Sequence, residues 1–190
     1  MPDMNQFQRP TGNAATIVED VADVDAGRLN IAPQEVDLQE AFLALRWMFI
    51  EQAERAGVTL EFTVGDGARV VWSDEQVFAA ILISLVDDAI KRSSGSGKVT
   101  AMSLASSRGG VYISITDAGY RIPPDTVLSV RASCERYEHR HHQRGMQTPL
   151  LLLVQARMLM HGGSIRVASL PGGGTAVILY FPPQSVLVLW

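Results

Sequence analysis

Two short groups of polar residues could carry chemistry, and both lie near the ends of predicted elements. Ser84, Asp88 and Lys91 stand at positions that share one face of a helix. Asp117 is the last residue of a predicted strand whose other residues on the same face are apolar. Gly119 follows it after one alanine. Carboxylate oxygens accept hydrogen bonds and ligate hard cations, so both aspartates are candidate binding groups. The plainer alternatives are a solvated helix face for the first group and a turn for the second.

A third polar group lies in the stretch 118–147, which has no sustained periodicity and contains the charged run 135–144 (ERYEHRHHQR). One alternative for this run is a metal site formed by Glu138, His139, His141 and His142, although these residues lack a ligand spacing fixed on a helix or strand. A second alternative is a phosphate or acidic partner bound by Arg136, Arg140 and Arg144. An exposed, solvated loop is the plainest interpretation.

Hydrophobic periodicity predicts three long helices and six strands that must position these groups. The first helix begins at the cap Asp37 and ends at Gly57, the second begins at Ser73 with Gln76 as its capping partner, and the third covers Leu150–Met160. The predicted strands are Val58–Val64, Val70–Trp72, Lys98–Ser106, Val111–Asp117, Ser164–Leu170 and Thr175–Phe181. The predicted fold class is α+β, an α/β sandwich with a mixed, mostly antiparallel sheet covered on one face by three helices.

The composition excludes several classes of protein. A chain of 190 residues, 47% of them hydrophobic, predicts one globular domain rather than a disordered chain. No apolar run is long enough for a membrane helix, and a net charge of −4 argues against nucleic acid as a partner. The single cysteine, Cys134, excludes an internal disulfide framework and is interpreted as an inert thiol. We therefore expect a soluble, cytoplasmic domain.

The order of the motifs resembles the C-terminal catalytic, ATP-binding domain of sensor histidine kinases, in the superfamily shared with gyrase, the Hsp90 chaperones and MutL. Ser84–Ser93 (SLVDDAIKRS) is similar to the family's NLxxNAIKYS, and Asp117–Pro123 (DAGYRIP) is similar to DxGxGIP. His161-Gly162-Gly163, followed by Ser169 and Gly172–Thr175, resembles the family's HGG…S…GxGT ending. The resemblance covers nearly the whole chain and implies a Bergerat-type ATPase fold.

The resemblance also implies a nucleotide site with ATP and Mg²⁺ as cofactors. Asp117 matches the carboxylate that accepts a hydrogen bond from the adenine amino group, and Gly119 would leave room for the ring. Asp88 stands where the family has its magnesium-binding asparagine, and its carboxylate can still ligate the ion. The other implied nucleotide-binding positions are Ser84, Lys91, Arg92, Ile122 and Thr175.

Departures from the family's pattern fall where phosphate must be held. Asp88 adds a negative charge beside the phosphates, and Arg121 replaces a glycine of the adenine motif. The family's glycine-rich lid, GTGLGLA, reads MQTPLLL here over residues 146–152. Pro149 has no N–H with which to cradle phosphate, and Leu150 puts a bulky side chain in place of glycine. These departures predict weakened or lost ATP binding.

The resemblance divides the chain into four parts. Residues 1–12 are a polar, flexible lead-in, and residues 13–30 resemble the end of a dimerisation-type helix. Residues 36–183 form the histidine-kinase-like ATPase domain, and residues 184–190 are an apolar tail. The tail either packs on a neighbouring molecule or adds an edge strand. The phosphorylatable histidine of the family lies on an earlier dimerisation helix, so phosphorylation in cis is not expected of this chain.

Two functions remain open, and the question of whether the chain is an enzyme stays open with them. The first is a two-component or phosphorelay signalling module with weakened or lost ATP binding, which acts through a response regulator or a histidine-phosphotransfer domain. The second is an active ATP-binding catalytic domain that phosphorylates a histidine supplied by another domain or chain. A homodimer is a further expectation, and a serine-kinase anti-sigma factor of the same superfamily is a third alternative.

Overall fold

The periodic segments form three helices and seven strands in the computed structural model, which describes residues 32–95, 97–119 and 148–183. The helices are α1 (Leu38–Ala56), α2 (Glu75–Arg92) and α3 (Thr148–Met160). The strands are β1 (Gln34–Asp37), β2 (Thr59–Val64), β3 (Val70–Ser73), β4 (Lys98–Ala105), β5 (Val111–Asp117), β6 (Ser164–Ser169) and β7 (Thr175–Phe181).

Five strands form one sheet in the order β2-β4-β5-β7-β6. The β2–β4 pair is parallel and the other three pairs are antiparallel, so the sheet is mixed and mostly antiparallel, as predicted. β1 and β3 form a separate antiparallel pair. β5 lies at the centre of the large sheet, between β4 and β7, and its last residue is therefore surrounded by structure on both sides.

The three helices pack on one face of the sheet, α1 against β2, α2 against β5 and α3 against β6. The row Val111, Ile113, Ile115 and Asp117 of β5 is buried, while Tyr112 between them is partly exposed, as the two-residue period predicts. α2 closes over this row with a stripe of almost fully buried residues: Phe78, Ile81, Leu82, Leu85, Val86, Ala89 and Ile90. Each large buried side chain contributes about 1.5–3 kcal/mol by the hydrophobic effect, so α2 is fixed firmly on the sheet.

The helix ends follow from local hydrogen bonds. The Asp37 carboxylate caps α1 by accepting from the backbone N–H groups of Gln39 and Glu40, and Gly57 ends the helix with a φ of 68°. Burial works to raise the pKa of Asp37, but hydrogen bonds from Arg69 and from the two capping amides outweigh it and hold that pKa below its ordinary value. None of the three described helices is long and apolar enough to span a bilayer.

Two details of the sequence prediction are wrong. The strand β1 is missing from the six predicted strands; only Val36 in it is buried, so it carries no alternating signal. The cap of α2 is Asp74 rather than Ser73, because the Asp74 carboxylate accepts from the N–H groups of Gln76 and Val77. Ser73 is instead the buried last residue of β3.

Candidate nucleotide site

The last turn of α2 places Asp88 and Arg92 one above the other, four residues apart. The Arg92 side chain is 7% exposed and forms hydrogen bonds with two carboxylates at once. Its Nη1 donates to Oδ2 of Asp88, while its Nη2 and Nε donate to Oδ2 of Asp117 at 2.6 and 3.2 Å. One guanidinium therefore joins two of the aspartates that the sequence singles out.

Asp117 has both carboxylate oxygens engaged. Oδ2 accepts from Arg92, and Oδ1 accepts from the backbone N–H of Gly119 at 3.0 Å, which closes a turn directly after β5. The side chain is 1% exposed. A carboxylate this deeply buried requires a partner of opposite charge, and Arg92 supplies it.

Two glycines allow the backbone to close around this carboxylate. A Cβ at Gly119 would overlap the backbone of Arg92, and a Cβ at Gly174 would overlap the carbonyl of Asp117. Thr175, directly after Gly174, is fully buried and lies opposite Asp117 in the β5–β7 register. The structure therefore brings Arg92, Asp117, Gly119 and Thr175 to one place, where the end of α2 meets the ends of β5 and of the β6–β7 turn.

Lys91 and Ser84 make their bonds elsewhere. Lys91 is 67% exposed and pairs through Nζ with Oδ2 of Asp87 at 2.5 Å. The other oxygen of Asp87 accepts from Gln52 of α1, so this pair faces the α1 side of α2, where Lys91 also lines a cavity of about 410 Å³. The Ser84 hydroxyl donates to the carbonyl of Ala80 at 2.7 Å, one turn before it in the same helix.

His161 makes its contacts at the other end of α2, where the helix begins. It is fully buried, its Nε2 accepts from the backbone N–H of Asp74 at 3.1 Å, and its Nδ1 lies 2.8 Å from the carbonyl of Arg157. These partners require the neutral tautomer with the proton on Nδ1. Burial lowers the pKa of His161, although the hydrogen bond to Arg157 and the charge of Asp74 partly offset this. The histidine thus has a structural role, joining α3 to the start of α2.

Several predicted site residues lie outside the described residues. These are Ile122, Arg121 and the whole run with Glu138, His139, His141 and His142. Among the residues that the structure describes, no group of three or more histidine, cysteine, aspartate or glutamate side chains is placed to hold a metal ion. The described donors nearest to such a role, Asp88 and Asp117, share the Arg92 cation.

The bonds that Arg92 forms are the feature of the candidate site that the sequence did not predict. Its signal was present only in part: an aspartate followed four residues later by an arginine is typical of a helical ion pair. The bond from Arg92 to Asp117 joins residues 25 positions apart and depends on how α2 lies on β5. Only the fold brings those two side chains together.

Residues 73–185 match the model of a protein family described as histidine kinase-, DNA gyrase B- and HSP90-like ATPases. The match covers more than half of the chain, and the chain belongs to this family. Its fold and its relatives are those of a histidine kinase catalytic, ATP-binding domain in two-component signalling.

Curated relatives and solved structures agree with this assignment. The chain is 29% identical over 175 residues to the histidine protein kinase DivJ of Caulobacter vibrioides, a match covering 90% of this chain and 29% of that protein. It is 27% identical over 167 residues to an uncharacterised sensor-like histidine kinase of Rhizobium meliloti, covering 87% and 32%. The chain thus spans about a third of the length of these relatives.

Two solved structures show the same fold. Full-length ShkA in complex with AMPPNP matches with a TM-score of 0.72 at 20% identity, covering 87% of this chain and 34% of that one. The catalytic domain of the histidine kinase ThkA matches with a TM-score of 0.66 at 20% identity, covering 80% and 95%. ThkA has also been solved in complex with a response regulator protein, TrrA.

The family's ligands, ATP and Mg²⁺, do not fit the described side chains as they are paired here. Oδ2 of Asp117 already accepts two hydrogen bonds from Arg92, so an adenine amino group cannot donate to that oxygen while Arg92 is in place. Oδ2 of Asp88 is paired with the same guanidinium, whose positive charge opposes a Mg²⁺ ion at that carboxylate. A nucleotide and its metal ion that used the Oδ2 atoms of Asp117 and Asp88 would have to displace Arg92 from both.

Proposed function

We propose that this chain is a two-component signalling module with the fold of a histidine kinase ATP-binding domain, weakened or lost ATP binding, and an action exerted through protein partners in the cytoplasm. One observation carries the proposal, the buried Arg92 guanidinium bonded to both Asp88 and Asp117. The two carboxylates that would bind the nucleotide and the metal ion both bind this guanidinium instead.

The start of α3 supports the same proposal. Pro149 lies in the first turn of α3, where free backbone N–H groups would otherwise be available to an anion. A proline contributes no N–H at that point. Phosphoryl transfer depends almost entirely on positioning and charge stabilisation, so the loss of one donor at this point lowers its rate.

The partners we propose are a response regulator or a histidine-phosphotransfer domain, and a second copy of the chain. ThkA, which shares this fold at 16% identity and a TM-score of 0.65, has been solved with a response regulator. Light scattering on the purified chain tests the homodimer, and titration of a purified receiver domain without nucleotide tests an ATP-independent partner.

The alternative function is an active ATP-binding domain that phosphorylates a histidine supplied by another domain or chain. The close approaches at Gly119 and Gly174 favour it, because they keep the backbone around Asp117 in place. Under this alternative Arg92 would move aside when nucleotide binds.

Calorimetric titration with a non-hydrolysable ATP analogue, with and without Mg²⁺, separates the two functions. We expect no saturable binding in the micromolar range by the wild-type chain. Micromolar binding that disappears in Asp117→Ala would overturn the proposal and establish the alternative. The variant Asp87→Asn is the matched control, because it removes a nearby aspartate whose pair with Lys91 lies on the α1 side of α2.

A further inference from the structure

The space beside the Asp117 carboxylate is taken up by a side chain of the same protein, Arg92. In the part of the chain that the structure describes, the backbone around the carboxylate consists of the end of β5, the turn at Gly119 and the start of β7 at Thr175. Oδ2 of this carboxylate accepts its hydrogen bonds from the long side chain of Arg92 rather than from a backbone N–H. A side chain can be shortened without rebuilding the fold.

We propose that Arg92 acts as an internal plug: its guanidinium takes the hydrogen-bonding position on Asp117 that the amino group of a ligand would take. Shortening this one side chain would then open the site to adenine nucleotides. The inference rests on the proposed function and deepens it, since it assigns the loss of nucleotide binding to a contact that can be released.

Charge and burial explain why the plug is effective. Hydrogen bonds between a guanidinium and a carboxylate are about twice as strong as neutral ones. The guanidinium is tethered to the same chain, so it competes at a high effective concentration. The pair Arg92–Asp117 is also shielded from water, with side chains 7% and 1% exposed, so solvent screens it little.

The expected size of the effect follows from the population of the open state. A ligand that binds only the open site has its affinity reduced by the open fraction, so a plug released about 1% of the time weakens binding about a hundredfold. We therefore expect Arg92→Ala to bind an ATP analogue at least about tenfold more tightly than the wild-type chain.

A comparison of adenine and hypoxanthine nucleotides tests whether Asp117 is the group that the shortened side chain exposes to the ligand. Adenine carries an amino group that can donate to Asp117, whereas inosine triphosphate carries a carbonyl at that place. Calorimetry on Arg92→Ala should show the gain for the ATP analogue and none for inosine triphosphate. The gain should disappear when Asp117→Ala is added, because alanine has no acceptor for the adenine amino group. Arg55→Ala is the control for loss of a positive charge, because Arg55 is exposed on α1 away from Asp117.

Removing Arg92 leaves the buried Asp117 carboxylate without its cation, so the variant must first be shown to fold. Thermal melts of Arg92→Ala with and without millimolar guanidinium chloride make that test, since the small cation can restore the missing charge. Arg92→Leu, which is shorter than arginine and has no hydrogen-bond donor, replaces it if the alanine variant melts below the assay temperature.

The outcomes separate this inference from the proposed function. A folded Arg92 variant that binds the ATP analogue no more tightly than wild type overturns the plug and leaves the proposed function standing. An equal gain for inosine triphosphate, or a gain that survives Asp117→Ala, also overturns it. Micromolar binding by the wild-type chain overturns the proposed function itself.

Discussion

The backbone amide of Asp74 donates a hydrogen bond to Nε2 of His161 across 3.1 Å, although the two residues are 87 positions apart. The same aspartate caps α2 with its side chain, and His161 follows directly after α3. One buried imidazole therefore couples the start of α2 to the end of α3. Arg92 lies at the other end of α2.

His161→Ala should destabilise the folded chain by about 2–4 kcal/mol. The variant leaves the buried Asp74 amide without its acceptor and opens a cavity at a fully buried position. Urea denaturation followed by circular dichroism measures the loss. Trp47→Ala is the control, because Trp47 is 66% exposed and its removal should cost no more than about 0.5 kcal/mol. Equal losses in the two variants would contradict the structural role of His161.

The lowered pKa of His161 predicts a pH dependence of stability. The unfolded chain takes up a proton on this histidine as the pH falls below about 6.5, while the folded chain keeps it neutral. Folding stability from this group is therefore fully present above the unfolded pKa and is lost as the pH falls toward the folded one. We expect wild type to lose more stability than His161→Ala between about pH 7.5 and pH 5.5 in paired denaturation curves. Parallel pH profiles would show that His161 does not titrate in this way.

The β6–β7 turn offers a comparison of two glycines with the same backbone angle. Gly172 and Gly174 both have a φ of 88°, so alanine at either position pays a similar backbone strain of about 1–2 kcal/mol. A Cβ at Gly172 meets open space, whereas a Cβ at Gly174 overlaps the carbonyl of Asp117. Gly174→Ala should therefore lower the melting temperature more than Gly172→Ala does. Equal shifts would mean that β5 does not approach the turn as closely as described.

The sequence predicts those parts of the fold in which apolar residues recur with a regular local period. The buried row of β5 and its terminal Asp117 follow from a two-residue alternation, and β7 has the predicted bounds Thr175–Phe181. The short β1 was missed because it has one buried residue, and the cap of α2 was misplaced because Ser73 and Asp74 are both good capping residues.

Five of the residues that the sequence analysis names for the site lie together in the structure, but their bonds could not be predicted. Asp88, Asp117, Gly119 and Thr175 were singled out from their motifs, and Arg92 from its position in one of them. That Arg92 bonds to Asp117 depends on the crossing of α2 over β5, a long-range contact that no local pattern encodes. The same limit applies to Lys91, which shares a motif with Asp88 but bonds to Asp87.

Three aspartates at the end of α2 and β5 should differ in what they contribute to stability. Asp117→Asn leaves the buried Arg92 guanidinium facing a neutral amide at a side chain only 1% exposed, and breaking a buried pair costs about 3–5 kcal/mol. Asp88→Asn removes a partner that is 20% exposed, so water compensates in part and the loss should be smaller. Asp87→Asn weakens a surface pair with the mostly exposed Lys91 and should cost at most about 1 kcal/mol. Chemical denaturation of the three variants under one condition gives the order, with Asp117 largest and Asp87 smallest. A loss for Asp87→Asn as large as that for Asp117→Asn would contradict the burial of the Arg92 pair on which the plug depends.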